Sequence, residues 1–438
     1  MDLKQAVRAQ RDSQIAFVGA GGKTTAIFQL ARQMEPPVFV ANSTHLAHSQ
    51  ALLADRHVEW ILEGNPPVLD TCLSSEITLF TADQTSEDRW VGLKDAELFQ
   101  LHHFSIENQI PLLIESDGSR QRPLKAPADH EPAIPGFTNH VVVMAGVSGI
   151  GKPLTSDWVH RPEIFSRISG RRIGEIILPR DLGILLSHPE GGLKNIPPGA
   201  RKTLILNQAE NIDWISVIQP IINHTLGIYD SIVVAELEKN SVFSAHEKSS
   251  GIILAAGSSE RFGKPKQLVE WNGKPILRHV VENALTSSLA EVIVVVGAVV
   301  DPIFELLSDL PVKIIINKSW PEGQSSSIHA GLEGIDQHSG SAIFLLGDQP
   351  QISSSLINEI LGMHSTSLAP IIAPEYHGQR ANPVLFDKVT FVALRKIEGD
   401  VGGRAIFKVF KPMVFPWNDN RILFDIDKPE DINGISLL

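Results

Sequence analysis

The sequence predicts an α/β protein of two domains, each a mostly parallel sheet flanked by helices. Three observations predict it. The chain has 438 residues, more than one ordinary core encloses. Short apolar runs alternate with segments whose apolar residues recur at helical spacing, the rhythm of strand–helix crossover units. That rhythm lapses in the polar stretch LEKNSVFSAHEKSS at 237–250 and then restarts. The chain is therefore read as a first domain over 1–236, a linker over 237–250 and a second domain over 251–438.

In order, IAFVG at 15–19 is a strand that runs into a glycine turn. TTAIFQLARQM follows, with Ile27, Leu30, Ala31 and Met34 at helical spacing. PVFVAN (37–42), LLIES (112–116), HVVVMAG (140–146), IGEIILP (173–179) and KTLILNQ (202–208) read as further strands. The proline and glycine cluster PEGGLKNIPPG at 189–199 marks a loop. Beyond the linker, GIILA (251–255), AEVIVVVG (290–297), VKIIIN (312–317) and SAIFLLGD (341–348) are strands, with helices such as LRHVVENAL between them.

Composition narrows the function classes. Apolar residues make up 43% and charged residues 20% of the chain, which suits a globular protein. A net charge of −12 argues against a broad nucleic-acid surface. One cysteine, Cys72, excludes an intrachain disulfide and any multi-cysteine zinc site. The polar start and the lack of a membrane-length apolar run lead to the expectation of a cytoplasmic protein with no membrane partner.

The turn GAGGKTT carries the first chemical signal. Gly19, Gly21 and Gly22 would let backbone N–H groups turn toward a phosphate at a helix start. Lys23 could reach terminal phosphates, and Thr24 or Thr25 could hold magnesium. The spacing is the shorter GxxGKT, and a purely structural turn is the competing reading. A dinucleotide fingerprint fails, because Thr24 replaces its last glycine and VANST supplies no acidic residue after the second strand. Further on, LLIESDGSRQRPLKAP puts Glu115 and Asp117 at a strand end, where a carboxylate can hold a metal. Arg120, Arg122 and Lys125 then suit an anionic ligand, against the alternative of a solvated charged loop. His45 and His48 lack partners spaced to complete a metal site, and His102 and His103 read as surface residues of a helix.

FVGAGGKTT, SDGSRQRPLKAPADHEPAIP, GKPL and HRPE at 160–163 together resemble the YqeC family over most of residues 10–235. The resemblance implies a nucleotide-binding, P-loop-like fold and an accessory role in maturing selenium-dependent molybdenum hydroxylases, so that a hydroxylase apoenzyme is an implied partner. GxxGKTT also looks like the ATP loop of Mur-type ligases, which would put ATP or GTP at the first domain.

The second signal is LAAGSSERFGKPK at 254–266. Ala255, Ala256 and Gly257 are small enough for a nucleotide to approach the backbone. Ser258 and Ser259 offer amides and hydroxyls, and Arg261 and Lys266 can neutralise departing pyrophosphate. The stretch resembles the signature LAAGxSxRxGxxK of the MobA/MocA-like nucleotidyltransferases, whose resemblance covers essentially all of 250–438. It implies a Rossmann-like domain whose nucleotide loop is formed by Leu254, Ala255, Ala256, Gly257, Ser258, Ser259 and Gly263. It also implies a catalytic set of Arg261, Lys266 and Asp348, with magnesium on Asp348 at the end of SAIFLLGD. NKSWPEGQSSSIHAGL resembles the segment that faces the nucleotide and implies Ser325, Ser326 and Ser327 as contacts there, with a helix cap as the equal alternative for one of them. GQRANPVLF and GDVGGRAIF resemble acceptor-side segments and imply Arg380, Asn382, Asp400 and Arg404. FDIDKPEDI resembles a closing motif in which Asp425 or Asp427 is a second metal-side carboxylate, or Asp427 a helix cap. Phe262 and Gln324 stand where methionine is usual.

Within that superfamily LAAG goes with cytidylyl and LAGG with guanylyl transfer. The resemblance thus implies a molybdenum cofactor cytidylyltransferase with CTP, molybdopterin and Mg2+ as small-molecule partners. The competing functions are guanylyl transfer, sugar-phosphate nucleotidyl transfer, and a non-catalytic chaperone for the cofactor.

Overall fold

The computed structural model describes residues 1–61, 67–74, 76–82, 84–86, 89–259, 262–426 and 431. Contacts divide the chain into two compact units, Met1–His246 and Glu247–Leu438.

The first unit is built on a nine-stranded sheet. Its strands are β1 (Gln14–Gly19), β2 (Val38–Asn42), β3 (Arg56–Trp60), β4 (Ile77–Ala82), β5 (Leu112–Glu115), β6 (His140–Gly146), β7 (Arg201–Asn207), β8 (Ser231–Glu236) and β9 (Ser241–Glu247). They lie in the order β9-β8-β7-β6-β1-β5-β2-β4-β3. From β8 to β3 every neighbouring pair is parallel. Ile15, Ala16 and Phe17 of β1 are fully buried, as a strand covered on both faces must be. Helix α1 (Lys23–Gln33) follows the glycine turn and buries Ile27, Leu30 and Ala31, while Met34 ends it in an extended conformation. Helix α2 (Asp95–Glu107) carries His102 and His103; His102 stacks on Phe137 at 4.1 Å, so it is a packing residue as well as a surface one.

The second unit has an eight-stranded sheet. Its strands are β10 (Ser249–Ala255), β11 (Glu291–Val296), β12 (Lys313–Ile316), β13 (Ser341–Leu346), β14 (Ile371–Tyr376), β15 (Gln379–Arg380), β16 (Val384–Asp387) and β17 (Met413–Pro416). The path runs β12-β11-β10-β13-β16-β14-β15, with β17 beside β14. Helices α3 (Ile276–Leu285), α4 (Gln324–Gly334) and α5 (Ser354–Ser367) pack onto it.

The second sheet is mostly parallel, as expected, with an antiparallel part at β13–β16, β14–β15 and β14–β16, where β16 lies between β13 and β14. Two other expectations need correction. IGEIILP is not a sheet strand; it makes one bridge through Ile176 and leads into the helix Pro179–Ser187, where Pro179 takes the first turn without needing its missing N–H. The supposed linker 237–250 is a short 3-10 turn followed by β9 and the start of β10. Its polar composition fits a sheet edge, where one face meets solvent.

Both glycine turns leave the C-terminal end of a strand with parallel neighbours on each side: β1 between β6 and β5, β10 between β11 and β13. That edge of an open α/β sheet is where ligands bind.

Candidate active site

In the second unit, the turn after β10 lines a cleft of about 730 Å³. Leu254, Ala255, Ala256, Gly257, Ser258 and Ser259 form one wall, with Lys266 and Asp348 at its end. The turn is held from beneath by Gln267, whose buried amide donates to the carbonyls of Ala255 (3.2 Å) and Gly257 (2.9 Å). Ser259 takes a left-handed conformation, φ 57°, and its hydroxyl bonds Gln267 Oε1 at 3.3 Å. Phe262 also lines the cleft and packs with Val269, Ile276 and Ile426, so it ties the turn to the segment that carries Asp425. Gly263 forms a left-handed turn at φ 74° outside the cleft wall. Arg261 and Asp427 lie outside the described residues.

Lys266 Nζ is ion-paired with the Asp348 carboxylate and bonds the Ile426 carbonyl at 3.4 Å. Asp425 accepts from Gln349 Nε2 at 2.6 Å. The cation, the two carboxylates and the glutamine thus come from the 3-10 turn Lys266–Leu268, the loop after β13 and the 421–426 segment. Asp425 lines a second cavity, about 570 Å³, which shares Leu254, Gln324 and Leu346 with the first. Arg380, Asn382 and Arg404 line this second cavity, and Arg380 lies 5.0 Å over the Phe407 ring.

Two acceptor-side and nucleotide-side expectations change. Asp400 lines the first cavity rather than the second, and its Oδ1 accepts from Gln324 N at 3.3 Å, capping α4. Gly323 makes this approach possible, since a Cβ there would lie 2.5 Å from Asp400 N. Ser326, half-buried, donates to the Gly323 carbonyl at 2.8 Å, accepts from Asn317 at 2.8 Å and is not part of the cleft wall. Ser327, the more buried of the two, accepts from Asn317 at 3.0 Å and does line the cleft. Trp320 also lines it, packed where Gly297 leaves room; a Cβ on Gly297 would come within 2.7 Å of that side chain. Gln267, Trp320 and Gln349 escaped the sequence reading, because a glutamine or tryptophan beside a turn has no periodic signature.

In the first unit Gly19, Gly21 and Gly22 have φ values of 93°, 84° and 110°. A Cβ on Gly21 would lie 2.4 Å from Gly146 N, so the turn requires glycine. Lys23 folds inward: its ammonium bonds the Gly19 carbonyl at 2.8 Å and pairs with Asp117 at 3.2 Å. Asp117 also accepts from Gly19 N and from Lys125 at 2.8 Å. Lys125 reaches Glu131 at 2.8 Å, and Arg161 donates to Glu131 from both terminal guanidinium nitrogens, Nη1 and Nη2. With the Asp117 and Lys125 side chains 2% and 1% exposed, this is an internal ion network. Removing one member of such a pair costs about 3–5 kcal/mol. Lys125 is therefore not the solvent-facing cation of an anion loop.

Burial pushes the Glu131 carboxyl up, but Arg161 and Lys125 outweigh it and hold the group at about 2. Burial, with Arg161 and Lys125 nearby, holds His160 down at about 4. Burial raises Glu115, against the pull of Lys23 and Thr24. Thr24 donates to Glu115 at 3.0 Å and accepts from Gln50 at 2.9 Å; no side-chain hydrogen bond is seen for Thr25 among the described residues. Among the described residues no three His, Cys, Asp or Glu side chains gather as a metal cluster, around Asp117 or elsewhere. No helix among them is long and apolar enough to cross a membrane.

These features define a two-unit α/β protein whose second unit is a nucleotidyltransferase domain. The chain belongs to the YqeC family, joined in one polypeptide to a MobA-like NTP transferase domain. The model for the YqeC protein matches residues 15–163, and that for the MobA-like NTP transferase domain matches residues 251–414. YqeC of Escherichia coli (strain K12) is 31% identical over 224 residues, 49% of this chain and 85% of that one. Nicotine blue oxidoreductase of Paenarthrobacter nicotinovorans is 26% identical over 167 residues, 36% of this chain and 81% of that one. A protein of Bacillus cereus (strain AH820) named probable molybdenum cofactor guanylyltransferase is 31% identical over 138 residues, 32% of this chain and 66% of that one.

Proposed function

We propose that the second unit transfers CMP from CTP to the terminal phosphate of molybdopterin and releases pyrophosphate. The observation that carries this reading is that two cavities adjoin, with Leu254, Gln324 and Leu346 in the walls of both. In-line displacement needs the attacking oxygen, the phosphorus and the leaving oxygen on one line, and two adjoining hollows allow two phosphorylated substrates to meet that way. An acceptor phosphate oxygen bonds the α-phosphorus, and the bond from that phosphorus to the bridging oxygen breaks. The pyrophosphate leaves with the added negative charge, beside Lys266; Arg261, outside the described residues, is the second cation that the signature implies. Arg380, Asn382 and Arg404 orient the acceptor.

Magnesium suits the carboxylates here. Asp348 and Asp425 present an all-oxygen set, and Mg2+ takes one or two carboxylates together with substrate phosphates. Gln349 holds Asp425 through its Nε2, and its buried Oε1 has no hydrogen-bond partner among the described residues. When bound, the ion offsets phosphate charge. Before that, the ammonium of Lys266 neutralises Asp348.

Ala256 supports cytosine over guanine. It lines the cleft, and its methyl takes space that a glycine would leave to a larger base. The competing guanylyl reading draws support from the relative named a guanylyltransferase. For the first unit the reading is a phosphate loop for ATP or GTP, with Thr24 and Glu115 on its metal side, in a protein that serves a molybdenum hydroxylase. The three positive-φ glycines at the start of α1 support it.

One experiment tests the main reading: each labelled nucleoside triphosphate is offered with molybdopterin and Mg2+, and the dinucleotide is identified. A cytosine dinucleotide is expected. A guanine product would transfer the assignment to guanylyl transfer, and no pyrophosphate with any nucleotide would leave only a carrier role.

A further inference from the structure

The strand end that carries Asp348 continues into a loop that holds the opposite segment with two glutamines. Gln349 donates to the Asp425 carboxylate at 2.6 Å. Gln351 donates to the carbonyls of Arg421 (3.0 Å) and Phe424 (2.6 Å). The loop is itself fixed, because Asn283 donates to the carbonyls of Pro350 and Ile352 at 3.1 and 2.9 Å. Backbone bonds Gln349 N to Leu346 O and Ile352 N to Gln349 O close it further. Only one of the two glutamines touches a side chain with chemistry. Gln351 grips backbone, whereas Gln349, 3% exposed, grips a carboxylate that stands at the surface of the acceptor cavity.

We infer that Gln349 is a positioning residue: it sets Asp425 against Asp348, so that carboxylates from two separate chain segments serve one divalent ion where the cavities join. This rests on the nucleotidyltransferase reading. An amide suits the task physically. Its N–H orients the carboxylate without neutralising it, which a lysine or arginine would do. Being adjacent to Asp348 in the chain and bonded to Asp425 across space, Gln349 makes the spacing of the two acids a property of one rigid loop. An exposed aspartate on a separate segment would otherwise sample several rotamers, at an ordering cost on every metal encounter.

Mn2+ binding, followed by electron paramagnetic resonance in the full-length protein with a non-hydrolysable CTP analogue, tests this. Gln349→Ala should weaken Mn2+ about tenfold or more, the range for loss of a group that orients a metal ligand. Gln349→Met, close in shape but without the donor, should do the same, and it keeps the test open should the alanine variant fail to fold. In the Asp425→Ala background, Gln349→Met should have no further effect, because its partner is gone. Equal Mn2+ affinity for Gln349→Met and the unaltered protein would overturn the inference while leaving the transferase reading intact, as would additive losses in the double variant. Failure of the unaltered protein to bind Mn2+ with the nucleotide would sink the transferase reading itself.

Discussion

Lys266 and Asp348 form an ion pair inside the nucleotide cleft, the ammonium lying against the carboxylate proposed to face the metal. Such a pair has two states to serve. In this structure each charge satisfies the other, and on the proposed reading a metal-bound triphosphate would draw the aspartate to the metal and the lysine to phosphate oxygens. Replacing Asp348 by Ala should abolish pyrophosphate release with folding preserved, measured by coupled phosphate release and circular dichroism. Lys266→Ala should lower kcat by about 100- to 1,000-fold, as loss of a single charge-stabilising donor does, with a smaller loss in CTP binding. Equal losses in both would mean that Lys266 binds only the ground state.

Ala256 gives a second prediction. Ala256→Gly should move the ratio of kcat/KM for CTP over GTP toward GTP by about tenfold or more, since one methyl in a snug pocket is worth that much discrimination. Competition between the two nucleotides, read by the products formed, measures it. An unchanged ratio would remove residue 256 from base selection.

The network of the first unit predicts acid sensitivity. Glu131 is held at about 2, below its ordinary 4.5, so its contribution to stability is complete above 4.5 and is lost as pH falls toward 2. His160 is held at about 4, below its ordinary 6.5, so the unfolded chain binds the proton first and stability also falls between pH 6.5 and 4. Unfolding midpoints of the intact protein should therefore drop in both windows. Glu131→Gln should flatten the lower one and His160→Gln the upper, each at some cost in stability at neutral pH for the glutamate variant. Parallel curves for variant and parent would contradict the pairing.

Gly21 supplies a fourth. Its φ of 84° and the 2.4 Å approach of a would-be Cβ to Gly146 N leave no room for alanine. Gly21→Ala should destabilise the first unit by at least about 1–3 kcal/mol from backbone strain alone, seen as a lower thermal midpoint. An unshifted midpoint would show that the turn can relax.

Much of this was legible in the sequence, for identifiable reasons. A strand that stops at small residues before a helix has few interpretations, so both glycine turns could be located from IAFVGAGGKTT and GIILAAGSS alone. Arg380, Asn382 and Arg404, singled out from two separate motifs, line one cavity. What stayed hidden depended on distant partners. The antiparallel insertion of β16 is decided by which neighbour a strand meets, and β9 was polar enough to pass for a connector. Ser326 and Asp400 carry the right chemistry for a ligand but spend it on Gly323 and Gln324, a choice visible only in three dimensions. Gln349 and Gln351 have no sequence signature at all, since their partners lie some seventy positions further along the chain.

Leu254, Gln324 and Leu346 belong to the walls of both hollows. If the proposed function holds, a compound that covalently joins a cytidine to a pterin-like anion through a short inert bridge would occupy both at once, with the second contact made at the high effective concentration that tethering confers. Such a bisubstrate inhibitor should bind far more tightly than either half, and its tolerance for bridge length would measure the distance between donor and acceptor directly.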